Sequence, residues 1–166
     1  SILAKRMQTL GTETAFEVLA KARALEKQGK NIVHLEIGEP DFDTPKNIKE
    51  AAAKALNAGY THYVPSAGIP ELREAIAEEI SKTRKIPVGP DEVVVTPGGK
   101  PIMFFSILAL VNPGDEVLYP NPGFPIYESL INFVGAKPVP VPLKEENDFG
   151  LDPEYLKEKI TKKTKL

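Results

Sequence analysis

Several classes of protein are excluded by residues that the sequence lacks or uses sparingly. The 166 residues contain no cysteine, which removes disulfides, thiolate catalysis, iron–sulfur clusters and most structural zinc sites. His34 and His62 are the only histidines, too few for a histidine-rich metal centre, so we expect no bound metal. No apolar run approaches the ~20 residues of a membrane span, and no signal peptide opens the sequence. We therefore expect a cytoplasmic protein that does not bind membranes.

An excess of basic residues is missing as well. Lys and Arg together number 21 and Asp and Glu number 23, which gives a formal net charge of −2 at pH 7. Because both signs are interspersed and no basic face stands out, we expect no nucleic-acid partner. Hydrophobic residues make up 42% of the chain, an ordinary composition for about one compact globular domain.

The periodicity of the apolar residues predicts an alternation of helices and strands. We expect helices over residues 12–28, 45–58, from Pro70 onward, 100–111, 124–134 and 152–160. Thr44 and Asp152 are the expected N-caps of the second and the last of these helices. Strands are expected over residues 93–95, 115–119 and 137–141, with a further extended segment over 31–37. Alternation at ~20-residue spacing is typical of βα units, so the predicted fold class is α/β, with a mostly parallel sheet flanked by helices.

The first candidate site is a glycine turn between a predicted buried strand and a helix. Residues 93–100 read VVVTPGGK; at such a turn the N–H groups of the helix N-terminus point outward, and the helix dipole adds about half a positive charge. Gly98 and Gly99 would let an anion approach closely, because a Cβ would block it. The turn therefore favours a phosphate group, although an ordinary strand–helix turn that needs glycine for its own geometry explains the same residues. The P-loop, dinucleotide, zincin and α/β-hydrolase motifs are absent from the sequence.

A second candidate is the stiff loop over residues 119–127, which reads YPNPGFPIY. Three prolines hold this loop at the carboxyl end of a predicted strand, where α/β proteins bind their ligands. Phe124 could hold its ring against a flat heterocycle there. Alternatively, Phe124 belongs to the core and Tyr127 packs within the following helix.

Four further groups of residues were considered as candidate sites. Gly38, in the turn over residues 38–41, could offer a main-chain N–H to a carboxylate. Tyr63 lies in a loop bounded by glycine and proline and could bind phosphate through its hydroxyl, although exposed tyrosines are common in such loops. His34 and His62 have no nucleophile nearby in sequence and are interpreted as structural. The acids near Gly38 could form a general acid–base cluster, but we interpret them as solvated loop charges and caps; they are Glu36, Glu39, Asp41 and Asp43.

Taken in order, these motifs resemble the N-terminal portion of class I/II aminotransferases, enzymes of fold type I that depend on pyridoxal 5′-phosphate (PLP). The matching stretches are GEPDFDTP at 38–45, YVPSAGIPELREAI at 63–76, VTPGGK at 95–100, NPGDEV at 112–117 and YPNPGFPIY at 119–127. They extend over nearly the whole chain and are most similar to the aspartate aminotransferase-like branch. The resemblance implies the PLP-dependent transferase fold and transfer of an amino group from an amino acid, of aspartate or aromatic type, to a 2-oxo acid.

The resemblance also implies which residues hold the cofactor. Gly98, Gly99 and Lys100 would present main-chain N–H groups to the phosphate of PLP. Phe124 would stack on the pyridine ring. These roles agree with the anion-binding interpretation of the glycine turn.

Two further implied roles concern the substrate and a second subunit. The backbone around Gly38 would meet the substrate α-carboxylate. Tyr63 would reach the phosphate of the neighbouring subunit's cofactor, which implies a homodimer. The resemblance assigns residues 1–40 to an N-terminal arm and helix of a small domain, and residues 41–166 to the first part of a large PLP-binding domain.

The sequence departs from the family pattern in two ways. Pro101 and Ile102 follow the glycine turn where members often have Gln-Ala, and Pro101 removes one possible N–H donor. The Schiff-base lysine, the aspartate that pairs with the pyridinium nitrogen and the carboxylate-binding arginine are all expected beyond residue 166. The chain therefore looks truncated, contains no catalytic residue of its own, and is predicted to be inactive alone. Two alternatives stay open: a non-catalytic binding or regulatory protein on the same half-fold, or another PLP-dependent reaction such as a lyase.

Overall fold

A computed structural model describes residues 2–11 and 14–166 of the chain. The chain divides into two compact units. We call Ser1–Ile37 with Gly98–Leu166 the sheet unit, and Gly38–Pro97 the helical unit. The domain boundary that we predict at residue 40 stays a prediction.

The chain forms six α-helices and two strands within its described part, and the predicted alternation of helix and strand is found from α4 onward. The helices are α1 (Thr14–Glu26), α2 (Lys46–Asn57), α3 (Pro70–Arg84), α4 (Lys100–Leu110), α5 (Ile126–Phe133) and α6 (Pro153–Lys159). The strands are β1 (Glu116–Asn121) and β2 (Lys137–Pro142). Short 3₁₀ turns span Lys5–Gln8, Pro90–Glu92 and Glu145–Asn147. None of the helices in this part of the chain has the length and apolar character to span a bilayer.

The sheet is parallel, as predicted. β1 pairs with β2 in a register that sets Glu116 opposite Lys137 and Asn121 opposite Pro142. On the other side of β1, Thr164 forms a parallel bridge with Glu116, and the N–H of Leu118 donates to the carbonyl of Leu166 over 2.9 Å. The last residues of the chain therefore run along β1 in the manner of a third parallel strand.

Proline occupies every second position of β2. The N–H of Lys137 donates to Asp115 and that of Leu143 donates to Asn121, both over 2.8 Å. Since successive N–H groups of a strand point to opposite edges, the odd-numbered residues donate toward β1. At the even-numbered positions the main-chain nitrogen faces away from β1. All three of these positions are prolines, which have no N–H: Pro138, Pro140 and Pro142.

The core lies between the sheet and helices α4 and α5. Its buried side chains come from both helices, from β1 and from the turn before β2, and they are Ile107, Val111, Val117, Leu130, Ile131 and Ala136. Met103, Phe104, Tyr119, Ile126 and Val134 pack against them. This helix–sheet packing positions the start of α4 and the loop before α5, which carry candidate residues of the sheet unit.

In the helical unit, polar side chains of α3 bond to the segment that follows this helix. Arg73 donates through Nε to the carbonyl of Val93 over 2.9 Å. The hydroxyl of Ser81 accepts the N–H of Val88 over 3.0 Å. Among the described residues of this unit, Ala77 and Val93 are the buried hydrophobic ones.

The predicted strand over residues 93–95 is wrong. Val93 is buried and extended, but no strand of the described residues runs beside this segment, and Val94 is 65% exposed. The N–H of Val95 bonds instead to the loop carbonyl of Ala67 over 2.9 Å. The segment over 31–37 likewise forms no strand, because a strand needs a pairing partner as well as an extended backbone.

Helix ends differ from the predictions by a few residues. Pro45, not Thr44, is the N-cap of α2, and no side chain caps that helix. α5 begins at Ile126 rather than at residue 124. Two expected starts are confirmed, because Pro70 begins α3 and the carboxylate of Asp152 accepts the N–H groups of the first turn of α6. Residues 12 and 13 of the first predicted helix lie outside the described residues.

Candidate functional site

The glycine turn before α4 uses its two glycines for different reasons. Gly98 has φ of +95°, a left-handed conformation that residues with a Cβ adopt at a cost. Its glycine is therefore explained by the geometry of the turn, as the structural interpretation of the sequence proposed.

Gly99 has neither a conformational nor a packing reason to be glycine. Its backbone is helical, with φ of −80° and ψ of −28°, and a Cβ built there would meet nothing within 4 Å. The open space lies at the N-terminus of α4, an 11-residue helix that begins at Lys100 with no side-chain cap. Main-chain donors and a positive helix end suit a phosphate. The turn therefore fits the phosphate of PLP, with room where a side chain would stand.

Phe124 lies beside this turn rather than in the core. Its side chain is 39% exposed, so the structure does not support the core interpretation. The Nζ of Lys100 lies 5.9 Å from the centroid of the Phe124 ring, within the range of a cation–π contact. Tyr127 packs edge-on against Phe124 at 6.2 Å between ring centroids. The structure thus brings Lys100 and Phe124 together in one unit.

Gly123 was not singled out by the sequence patterns, yet it shapes the loop that carries Phe124. A Cβ at Gly123 would collide with the carbonyl oxygen of Pro120. The Pro-Gly pair was the available signal, because glycine in a loop often marks a close approach of the backbone.

Gly38 and Tyr63 belong to the helical unit. Gly38 is exposed, and a Cβ there would meet nothing within 4 Å. Tyr63 is fully exposed and lines a cavity of about 650 Å³ together with Tyr60 and His62. Both candidate residues therefore lie at the surface of their unit.

His34 lies between two carboxylates. Its Nδ1 is 2.6 Å from Oε1 of Glu36, and its Nε2 is 2.9 Å from Oε1 of Glu26, the last residue of α1. The hydrogen bond to Glu36, followed by that to Glu26, raises the pKa of His34 above its ordinary 6.5, and the pKa of Glu36 is lowered in turn. Glu36 is thus paired rather than solvated, and His34 joins α1 to the segment before Gly38.

A buried carboxylate that the sequence patterns did not reveal lies at the start of β1. Glu116 accepts hydrogen bonds from Nζ of Lys137 over 2.9 Å and from the hydroxyl of Thr161 over 2.7 Å. These two bonds, Lys137 first, lower the pKa of Glu116. The carboxylate joins β1, β2 and the C-terminal segment, which makes its role structural.

A parallel α/β sheet with an open, glycine-lined helix N-terminus beside an exposed aromatic ring is an arrangement that suits a flat, phosphorylated ligand. The model of the family "Aminotransferase class I and II" matches residues 30–166, and the chain belongs to that family. The resemblance seen in the sequence motifs is confirmed.

Relatives and solved structures agree with this assignment. A "Probable aspartate/prephenate aminotransferase" of Aquifex aeolicus is 47% identical over 98% of this chain and 41% of its own length. The structure of aspartate aminotransferase from Thermus thermophilus with maleate matches with a TM-score of 0.90 and 43% identity, over 99% of this chain and 43% of that chain. The structure of an aromatic aminotransferase from Pyrococcus horikoshii matches with a TM-score of 0.72 and 46% identity. This match covers 77% of this chain and 34% of that chain. The expected PLP-dependent transferase fold is confirmed. The first two of these matches cover nearly all of this chain but only about two fifths of the length of the relative.

Proposed function

We propose that this chain is the N-terminal part of a PLP-dependent aminotransferase that transfers an amino group from an amino acid to a 2-oxo acid. The observation that carries the proposal is Gly99, a helical glycine with empty space in place of a side chain at a helix N-terminus that no side chain caps. Membership of the family supports the choice of PLP as the phosphorylated ligand. Aspartate or an aromatic amino acid is the proposed donor, supported by the names of the relatives.

The residues of the sheet unit would bind and orient the cofactor. The main chain of Gly98, Gly99 and Lys100 would hold the phosphate, and the exposed ring of Phe124 would cover one face of the pyridine and keep water from it. When bound, PLP supplies the electron sink that the reaction requires. The ammonium of Lys100, held near the Phe124 ring, adds positive charge at the edge of this site.

The residues of the helical unit would complete the site in a homodimer. Gly38 would meet the substrate α-carboxylate through its main chain. Tyr63 would reach the cofactor phosphate of the partner subunit, a role supported by the full exposure of its ring. A cytoplasmic location is proposed from the absence of cysteine and of a membrane-spanning pattern in the sequence.

The test compares the PLP affinity of Gly99→Asp and Gly99→Ala with that of the wild type in the complete protein. A carboxylate would face the phosphate, so we expect Gly99→Asp to weaken PLP binding by at least about tenfold, as the loss of one hydrogen bond to a charged group would. Gly99→Ala adds only a methyl group and is expected to weaken binding less. PLP affinity is measured by fluorescence titration, and the melting temperature reports on folding.

Lys82→Ala, a surface change on α3, is the control and is expected to bind PLP normally. Equal PLP affinity for the wild type and Gly99→Asp would disprove the phosphate site at this turn.

A further inference from the structure

The segment over residues 31–37, which follows α1, has few contacts of its own. Within the described part of the chain, its main chain makes no hydrogen bond to another main-chain group. Ile32 and Ile37 near its two ends are half-buried, whereas Val33 is 78% exposed and Leu35 is 88% exposed. The middle of the segment is therefore held by polar side chains rather than by apolar packing.

His34 joins the middle of this segment to α1 with both nitrogens of its ring. Nδ1 lies 2.6 Å from Oε1 of Glu36, and Nε2 lies 2.9 Å from Oε1 of Glu26. Within the described part of the chain, these two carboxylates are the charged groups at ion-pair distance from His34. Lys27 and Lys30, in the turn between α1 and the segment, are exposed. The side chain of Glu36 is 10% exposed and that of Glu26 is 42% exposed, so the carboxylate that ties His34 to α1 is the more exposed of the two.

Both hydrogen bonds exist together only when the ring of His34 is protonated. An imidazolium donates from both nitrogens, whereas a neutral ring has one N–H and one lone pair. Loss of the proton therefore leaves one carboxylate facing a lone pair instead of a donor. An unpaired charge costs more at the buried Glu36 than at the exposed Glu26, so the remaining N–H stays on Nδ1. The bond between Nε2 and Glu26 is the one that is lost.

We propose that His34, Glu26 and Glu36 form a proton-dependent clamp, which holds residues 31–37 to the end of α1 when His34 is protonated and releases Glu26 when the proton leaves. The clamp acts where the chain passes from the sheet unit into the helical unit, since the segment ends at that boundary. It does not depend on the proposed function.

The pH range of the clamp follows from its hydrogen bonds. The bond to Glu36, followed by that to Glu26, raises the pKa of His34 above 6.5. The bond from His34 lowers the pKa of Glu36 below its ordinary 4.5, so this carboxylate is ionised at pH 6 and above. The stabilising contribution of the protonated His34 is therefore complete at pH 6 and is lost as the pH rises through the native pKa of the ring.

The first test compares the melting temperatures of the wild type and His34→Asn in the complete protein. The amide nitrogen of asparagine takes the place of Nδ1, so this variant keeps a donor for Glu36 and has none for Glu26 at any pH. We expect the wild type to melt at a higher temperature than His34→Asn at pH 6, and the difference to narrow at pH 9. His62→Asn makes the same substitution at an exposed histidine outside the clamp and is the control. An equal difference between the wild type and His34→Asn at pH 6 and at pH 9 would overturn the inference.

Amide hydrogen exchange shows whether the end of α1 is released. The N–H groups of Lys27, Gln28, Gly29 and Lys30 donate to carbonyl groups of α1. At pH 6 we expect these four groups to exchange several-fold faster in His34→Asn than in the wild type. Equal exchange in the two proteins would show that His34 does not hold this end of the helix, and the inference would fail.

A second variant, Glu26→Gln, keeps His34 and changes only an exposed carboxylate, so the fold is retained. The pKa of His34 is measured by NMR of the ring Cε1–H in the complete protein labelled at histidine, where the signal of His34 is the one missing from His34→Asn. We expect a pKa above 6.5 in the wild type and a lower pKa in Glu26→Gln, because one of the two carboxylates that favour the charged ring is gone. A wild-type pKa at or below 6.5, or the same pKa in both proteins, would overturn the inference.

Discussion

The two units of this chain fix their candidate residues by different means. In the sheet unit, buried side chains from α4, α5 and β1 pack into one cluster, and Lys100 and Phe124 lie at the ends of the elements that form it. In the helical unit, Leu56 is 63% exposed and Val64 is 59% exposed, and Arg73 and Ser81 of α3 bond to the segment after that helix. The sheet unit therefore has a buried apolar cluster beside its candidate residues, whereas the described contacts of the helical unit are mostly turns and hydrogen bonds.

The largest expected effect comes from removing a side chain in the better packed unit. Ile131 is 1% exposed, so Ile131→Ala should leave a cavity and lower the free energy of unfolding by about 2–5 kcal/mol. Leu56→Ala, at an exposed position of the helical unit, is the matched control and should change it by no more than about 0.5 kcal/mol. Urea denaturation of the complete protein measures both. Equal effects of the two substitutions would remove the contrast between the units.

A smaller effect is expected where the helical unit relies on a turn. Gly68 has φ of +106°, and a Cβ there would lie 2.7 Å from Cγ2 of Val95. Gly68→Ala should therefore cost about 1–3 kcal/mol through backbone strain and the clash. Gly89→Ala is the control, because the nearest atom to its Cβ is Oε2 of Glu92 at 3.7 Å.

The double variant Gly68→Ala with Val95→Ala separates the two causes. It should be less destabilised than the sum of the single variants, since the smaller side chain removes the clash and leaves the strain. Strict additivity of the two substitutions would show that Val95 does not limit the turn.

The smallest expected effect concerns the carboxylate that joins the strands of the sheet unit. The native pKa of Glu116 is lowered below its ordinary 4.5 by Lys137 and Thr161. Its stabilising contribution is therefore complete above pH 4.5 and disappears as the pH falls through the native pKa. We expect the melting temperature of Glu116→Gln to lie below that of the wild type at pH 7, and the gap to narrow below pH 4.5. An equal difference in melting temperature between the two proteins at pH 7 and at pH 3 would contradict this prediction. Glu154→Gln, at an exposed carboxylate, is the control.

The sequence was sufficient for features with a local cause. Proline at the first position of α3, the Asp152 cap and the glycine turn before α4 are all determined within a few residues, so patterns predict them. The segment over 93–95 has the composition of a strand but lacks a neighbouring strand among the described residues, and no local pattern reports on a neighbour.

The contacts that the sequence could not reveal join residues far apart in the chain. Ser129 and Gly11 are 118 residues apart, and Glu116 and Thr161 are 45 apart. A serine on a helix and a threonine near a chain end are common residues, and nothing in their surroundings marks them as partners. Gly99 was found from the pattern, but only its helical backbone distinguishes it from Gly98, which has a positive φ.

The alternating prolines of β2 determine the direction in which this sheet can grow. Because Pro138, Pro140 and Pro142 occupy the positions that face away from β1, that margin of the sheet offers no N–H group from any of the three to a further strand. Another chain arriving there would find carbonyl groups without the matching donors, which discourages edge-to-edge aggregation. A further strand can instead pair along the free edge of β1, where Thr164 and Leu166 already bond to Glu116 and Leu118.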